Sequence, residues 1–311
     1  MRAVTVSLLS LGVSLTAACN GAQEDPPFAY EHAPDGAPLQ DAGVSTVVGT
    51  VHLREDRSVY DGDGTPVEQR AGQVDASYFA QPPPRWHREV ARAGECVLLR
   101  YTPALCDPAC EGGAVCVDTN TCAPPADFAY AGAIRFAGLR AAVELIGQDG
   151  YYYASDALPA DLFDDDATVS VTLAGAEIAA HTISARGVAP LVPDLVSSIT
   201  LEPGQDHVVR WTPAAGDARI RLTLNGNNAG HGAPYAGIIE CDSPDVAGAV
   251  TIAAALVDGF PPTQAWTVCA GHDCPPSTIE RYRRGVAAIG ASQAELIVSS
   301  RYSFGVVHTP E

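Results

Sequence analysis

The chain is 311 residues long, 47% hydrophobic, and carries a formal net charge of −19. That length allows one large β domain or two smaller ones, with enough chain for a real core. So acidic a surface repels nucleic-acid phosphates and anionic lipid headgroups, so neither is expected as a partner.

The chain opens with Arg2, an apolar run through Leu8, Leu9, Leu11 and Val13 to Leu15, and then Ala17-Ala18-Cys19. One early arginine, an apolar run and two small residues make a secretory signal peptide over residues 1–18. The run is shorter than the ~20 residues that span a bilayer. A cysteine directly after those alanines resembles the lipobox of bacterial lipoproteins, although Thr16 stands where an aliphatic residue is usual. The resemblance implies cleavage before Cys19, acylation of its sulfur (palmitate among the chains) and anchoring to a membrane. The expected location is the cell envelope, at the periplasmic or outer face of the outer membrane.

Residues 19–43 contain Pro26-Pro27, Pro34, Pro38 and several acids, with little apolar periodicity. They read as the lipidated cysteine followed by a disordered tether. A β domain is expected over 44–311. Ser45–Leu53 is rich in β-branched residues and predicts a strand, and Asp61-Gly62-Asp63-Gly64 predicts a turn. Val74–Phe79 predicts a second strand, broken by the prolines of Gln81–Arg85, and Cys96–Tyr101 a third. Trp86, beside those prolines, is expected at the surface. Cys106–Cys122 has the spacing C-x3-C-x5-C-x5-C, too dense for a packed core, so 104–125 reads as a crosslinked insert. The insert leaves open a division into two β subdomains, 44–103 and 126–311.

Short strands follow at 131–136, 142–146, 151–153, 168–173, 198–201, 208–211, 219–224, 237–241 and 295–300. Arg219–Leu224 places Ile220, Leu222 and Leu224 on one face and Arg219, Arg221 and Thr223 on the other, which predicts a half-buried antiparallel strand. Ser277-Thr278-Ile279-Glu280 matches a capping box and predicts a short helix over 279–288; Ala253–Val257 predicts another turn or two. The expected fold is all-β, an antiparallel β-sandwich of jelly-roll or immunoglobulin-like type with a disulfide-rich insert and one or two short helices.

Nine cysteines behind an export signal read as disulfides. With Cys19 acylated, eight remain, an even number. An interleaved pairing, Cys106 with Cys116 and Cys110 with Cys122, would resemble the half-modules of EGF-like inserts. Cys269-Ala270-Gly271-His272-Asp273-Cys274, with Cys241, has the donor types of a zinc site. An oxidising compartment favours a local Cys269–Cys274 disulfide instead, which leaves Cys96 for Cys241.

The chain has no P-loop, no His-Glu-x-x-His, no Gly-x-Ser-x-Gly and no dinucleotide fingerprint. Catalysis by two placed carboxylates needs no such motif, so whether the protein is an enzyme stays open. Asp61 and Asp63, and Asp164 and Asp166 within the acidic stretch 161–166, are oxygen ligands of the kind calcium takes, though neither run matches an EF-hand. Solvated acidic loops are the plainer reading, and no cofactor is otherwise expected. Asn225–Gly232 is a polar, glycine-rich loop between two strands. Asn225, Asn227, Asn228, His231 and Tyr235 are the candidate ligand-binding residues there, suited to sugar hydroxyls. Trp266 is a further ring for stacking, whereas Trp211 ends an apolar strand and is expected in the core.

Cys96–Arg100, the insert, Arg210-Trp211, the stretch 237–250 and the closing segment 295–307 together resemble bacterial surface lipoproteins of no assigned activity. That resemblance implies envelope location and β architecture, but no reaction. The Cys269/Cys274 pair is additional to the pattern. The expected function is a membrane-anchored binding or adhesion lipoprotein whose partner is carbohydrate or another surface protein. The alternatives are a hydrolase of extracellular polysaccharide and a structural subunit of an envelope complex.

Overall fold

The computed structural model describes residues 46–62, 65–83, 87–102, 104–147, 151–153, 158–195, 197–226, 236–263 and 277–309. Their strands, in chain order, are β1 (Val47–Gly62), β2 (Thr65–Tyr78), β3 (His87–Ala93), β4 (Cys96–Tyr101), β5 (Val115–Asp118) and β6 (Thr121–Ala123). Next come β7 (Ile134–Ala137), β8 (Glu144–Leu145), β9 (Tyr151–Tyr153), β10 (Thr168–Leu173), β11 (His181–Arg186), β12 (Ser198–Leu201) and β13 (His207–Arg210). The series ends with β14 (Arg219–Asn225), β15 (Gly237–Pro244), β16 (Ala249–Ile252), the helix α1 (Ala254–Gly259), β17 (Ser277–Ile289) and β18 (Ser292–His308). No helix among the described residues is long and apolar enough to cross a membrane.

The fold is all-β. A ten-stranded sheet runs β3-β4-β15-β14-β17-β18-β1-β2-β9, with β12 also on β18. It takes strands from both sides of the cysteine-rich insert. Smaller sheets are β11-β10-β7-β8, β13-β16 and, within the insert, β5-β6. The large sheet is mixed rather than purely antiparallel, because β18 pairs in parallel with both β1 and β12. A strand of 17 residues is long enough to take β1 along Gln293–Ser303 and β12 along Gly305–His308 on the same side.

The segment expected to be helical, Ile279–Ala288, lies within β17. It is hydrogen-bonded along its length to β18 and over Thr278–Tyr282 to β14. Pairing with β18 throughout and with β14 over its first residues satisfies its backbone groups there, and this overrides a weak local capping signal. The helix that forms, α1, is the one expected near Ala253–Val257.

One face of β18 shows how the core is divided. Ala294, Leu296 and Val298 enter a cluster shared with β1, β2, β7 and β10. Tyr302 and Phe304 enter a second cluster, shared with β14, β15, β16 and α1. Between them on the same face stands Ser300, whose hydroxyl accepts the Leu191 N–H at 2.9 Å. Directly opposite Ser300 in register is Arg281 of β17, with 2% of its side chain exposed. Its Nε and Nη2 donate to the two oxygens of Asp245, each at 3.0 Å. Its Nη1 donates to the carbonyls of Ala189 and Pro190, at 3.1 and 2.7 Å, and Nη2 also to that of Thr212, at 2.6 Å. Five N–H groups thus meet five acceptors, which is the full capacity of a guanidinium. Asp245 also accepts the Ala214 N–H at 2.9 Å, and its carbonyl accepts the indole N–H of Trp211 at 2.8 Å. Trp211 is accordingly a core residue.

The opposite face of the large sheet is polar, yet much of it is buried. Asp242, Arg221, Glu280, Arg301 and Asp56 stand directly opposite one another across β15, β14, β17, β18 and β1, alternating in sign. Arg221 reaches Glu280 at 3.1 Å, and Arg301 grips Asp56 through two bonds of 2.7 and 2.9 Å. The half-buried reading of β14 therefore needs correction. Arg221 is 4% exposed, so at its centre the strand is buried on both faces, one apolar and one ion-paired, while Arg219 at its start stays exposed.

Asp245→Ala would strand the Arg281 charge out of water, and a broken buried pair of this kind costs about 3–5 kcal/mol. Urea unfolding of the variant should show a loss of that size with an unchanged slope.

Candidate functional site

The sequence-derived sites separate in the structure. Of the proposed ligand-binding residues only Asn225 is described, at the end of β14, where its N–H donates to the Ser277 hydroxyl at 3.0 Å. Asn227, Asn228, His231 and Tyr235 lie outside the described residues, as do Cys19, Trp86, Trp266, Cys269, His272 and Cys274. Asp61 belongs to β1 by its backbone, and Asp63 lies outside the described residues. Asp164 is bound by Arg140 and Asp166 by Arg186 and Arg283, so these two carboxylates serve different guanidiniums.

Among the described residues three disulfides join Cys96 to Cys241, Cys106 to Cys116 and Cys110 to Cys122. The first links directly opposed residues of β4 and β15 inside the core. The other two interleave across the β5-β6 hairpin, where Asn120 takes a positive φ of 55° and its side chain accepts the Asp107 N–H at 2.8 Å. A salt bridge of 2.8 Å from Arg88 to Asp118 ties the insert to β3. The sulfurs of Cys106, Cys110 and Cys116 lie within 4.8 Å of one another because two bridges sit side by side; all three are oxidised.

A cleft of about 510 Å³ opens elsewhere, between the two larger sheets. It is lined by Thr168 of β10, Ser184, Ala185 and Arg186 of β11, Asp217, Arg219 of β14, and Tyr282, Arg283 and Arg284 of β17. Its place follows from strand lengths. β14 begins at Arg219, opposite Tyr282, so Arg283 and Arg284 lie beyond the end of their neighbour. There β11 comes down onto β17. Gly285 makes this approach possible, since a Cβ at that position would sit 2.2 Å from the Ser184 carbonyl oxygen.

At the mouth of the cleft, two guanidiniums and two carboxylates form a closed ring. Arg186 meets Asp166 at 2.8 Å and Asp217 at 2.5 Å. Arg283 meets the same two carboxylates, each at 3.0 Å, and donates to the Gly187 carbonyl. Asp217 feels opposing effects. Burial pushes its carboxyl up, while its own backbone N–H and the guanidiniums of Arg186 and Arg283 outweigh that and hold it below the usual range. Also lining the cleft, Arg219 donates to Asp242 at 2.8 Å, and Arg284 pairs with Glu295. The Tyr282 hydroxyl donates to Asp242 at 3.1 Å, and burial pushes its pKa up to about 12.

The cleft is polar and open. It offers N–H donors in planar sets, two aliphatic hydroxyls and the exposed Asp217 carboxylate, a supply suited to recognising a polar ligand through many hydrogen bonds. Both aspartates at its mouth are held by two guanidiniums, and the lowered pKa of Asp217 keeps that carboxylate ionised and poorly suited to donating a proton. Sequence reasoning missed this site because its parts come from four distant segments. The signal that could have been weighed was Arg281-Tyr282-Arg283-Arg284, a run of cations in a chain with 18 basic and 37 acidic residues.

Gly285→Ala should lower stability by about 1–3 kcal/mol through overpacking against β11, read by thermal unfolding. A set of protein-family models and the curated proteins were both searched with this sequence, and neither gives a match.

Proposed function

We propose that the protein is a lipid-anchored envelope lipoprotein whose β-sandwich binds carbohydrate in the cleft between its sheets. The observation that carries the ligand half of this reading is the ring of Arg186, Asp166, Arg283 and Asp217 at an open, polar mouth. Sugar hydroxyls are both donors and acceptors, and a site that presents guanidiniums beside carboxylates serves both roles. The anchoring half rests on Cys19 and the apolar run before it. Three disulfides favour an oxidising compartment, where such bridges persist. On this reading residues 1–18 direct export, 19–43 form the tether, and the outer membrane holds the acyl chains. Recognition is favoured over hydrolysis because the cleft's mouth carboxylates are each committed to two arginines.

Two measurements test the two halves. Labelling cells with radioactive palmitate should mark the wild-type chain and leave Cys19→Ala unlabelled and released from the membrane fraction. The detergent-solubilised full-length protein should bind members of a broad panel of plant, bacterial and animal glycans, and Arg186→Ala should weaken that binding about tenfold or more. A panel with no binding at all removes the carbohydrate reading.

A further inference from the structure

We infer that the cleft is selective for a saccharide bearing a carboxylate, and that Asp217 occupies the place of that carboxylate until the ligand arrives. This rests on the reading of the cleft as the ligand site.

The argument starts from an imbalance in burial. The Arg283 side chain is 7% exposed, whereas its partners Asp166 and Asp217 are 62% and 67% exposed. A desolvated guanidinium is therefore satisfied at the mouth by carboxylates that remain largely in water. Because the carboxylates stay in water while the guanidinium does not, seating an equivalent ligand carboxylate in place of one of them keeps the buried charge paired and releases an aspartate that is already mostly hydrated.

The two aspartates are not equally replaceable. Asp166 sits at a positive φ of 62°, and its N–H donates to the Gly187 carbonyl at 3.1 Å. Asp217 follows Gly216, whose φ is 107° and which stands against the Arg283 guanidinium, where a Cβ would lie 2.6 Å from Nη2. Glycine at this hinge gives the Asp217 carboxylate a backbone that can turn.

Behind the mouth, the acids that balance Arg219 and Arg284 are themselves hidden. The Asp242 and Glu295 side chains are 9% and 0% exposed. The cleft wall therefore presents guanidinium faces with their countercharges behind them. An acceptor-only, planar, two-oxygen group is what guanidinium N–H edges bind best, and the Asp217 carboxylate already bridges Arg186 and Arg283 with one oxygen to each, at 2.5 and 3.0 Å. Once displaced, Asp217 can accept from the hydroxyls of the same sugar. The overall negative charge does not prevent this, because at physiological salt charges beyond roughly 8 Å are largely screened.

The test uses the full-length protein in detergent and three acidic oligosaccharides: oligogalacturonate, oligoalginate and oligohyaluronate. Each is titrated beside its carboxyl methyl ester by calorimetry. At least one acid should bind about tenfold or more tightly than its ester, with an affinity that falls as salt rises. Asp217→Asn should strengthen binding of that acid about three- to tenfold by removing the internal competitor, and Arg186→Ala should weaken it about tenfold. Equal binding of acid and ester, both weakened by Arg186→Ala, overturns the carboxylate inference and leaves the cleft as a sugar site. Weaker binding by a folded Asp217→Asn overturns the placeholder role. Binding by no member of any pair overturns the carboxylate inference, and the sugar reading is then decided by the broad glycan panel. The salt dependence and the acid–ester comparison are read on the wild-type chain, so the carboxylate inference is decided even if a variant fails to fold.

Discussion

A guanidinium taken out of water must find an acceptor for each of its five N–H groups, and Arg281 does. This requirement organises the middle of the molecule. The carbonyls it takes come from Ala189 and Pro190, just after β11, and from Thr212, just after β13. Its carboxylate partner, Asp245, sits at the start of a short 3-10 turn after β15. Three loops, already linked by backbone bonds such as Thr212 N–H to the Val192 carbonyl and Trp211 N–H to that of Gly248, are thereby held to one side chain as well. Replacing such a pair with apolar groups is often tolerated energetically, whereas removing one partner is not. The pair thus specifies where loops lie more than it adds to net stability. The cleft depends on that placement, since Gly187 and Asp217 both lie in connections that begin or end at this hub.

The large sheet carries two different solutions to burial. Its apolar face follows the usual rule, with alternate residues entering one of two clusters. Its other face buries charge, and each charge in the central row has a neighbour of opposite sign on the next strand. Cross-strand pairs of opposite charge favour one register, because a slip by one residue would move the charged row onto the apolar side. The alternating row from Asp242 to Asp56 therefore acts as a register device over five strands. The same arginine-rich chemistry reaches the surface midway along β17, just past its pairing with β14, in the ring of Arg186, Asp166, Arg283 and Asp217.

Much of this architecture is legible from residues alone, and what was missed has physical causes. Strands with clean alternation, such as Thr168–Leu173 and Ser198–Leu201, fall where the pattern puts them because one face is buried and the turns are marked. β11 is harder to see, since Ile183 is its only large apolar residue. β17 is harder still. Arg281 and Arg283 point to the buried side, so hydrophobic periodicity carries no strand signal there, and a local Ser-x-x-Glu pattern points to a helix. The ion-paired face of β14 misleads for the same reason: charge reads as solvent until its partners on other strands are known. The candidate cleft draws on β10, β11, the β13–β14 connection and β17, and nothing local announces that these meet. By contrast, the insert's turns and cysteine spacing are local features, and they describe it well.

The parallel pairing of β1 with β18 bears on how the molecule reaches its native state. β1 is the first of the described strands to be synthesised, and β18, which completes its other edge, is the last of them. Contacts spanning this much sequence form late and slowly. An exported chain would therefore cross the membrane with the centre of its sheet still missing, and its hairpin of β1 and β2 would wait with an exposed edge. Such edges invite association with other chains, so a holding chaperone during transit would have a clear physical task here.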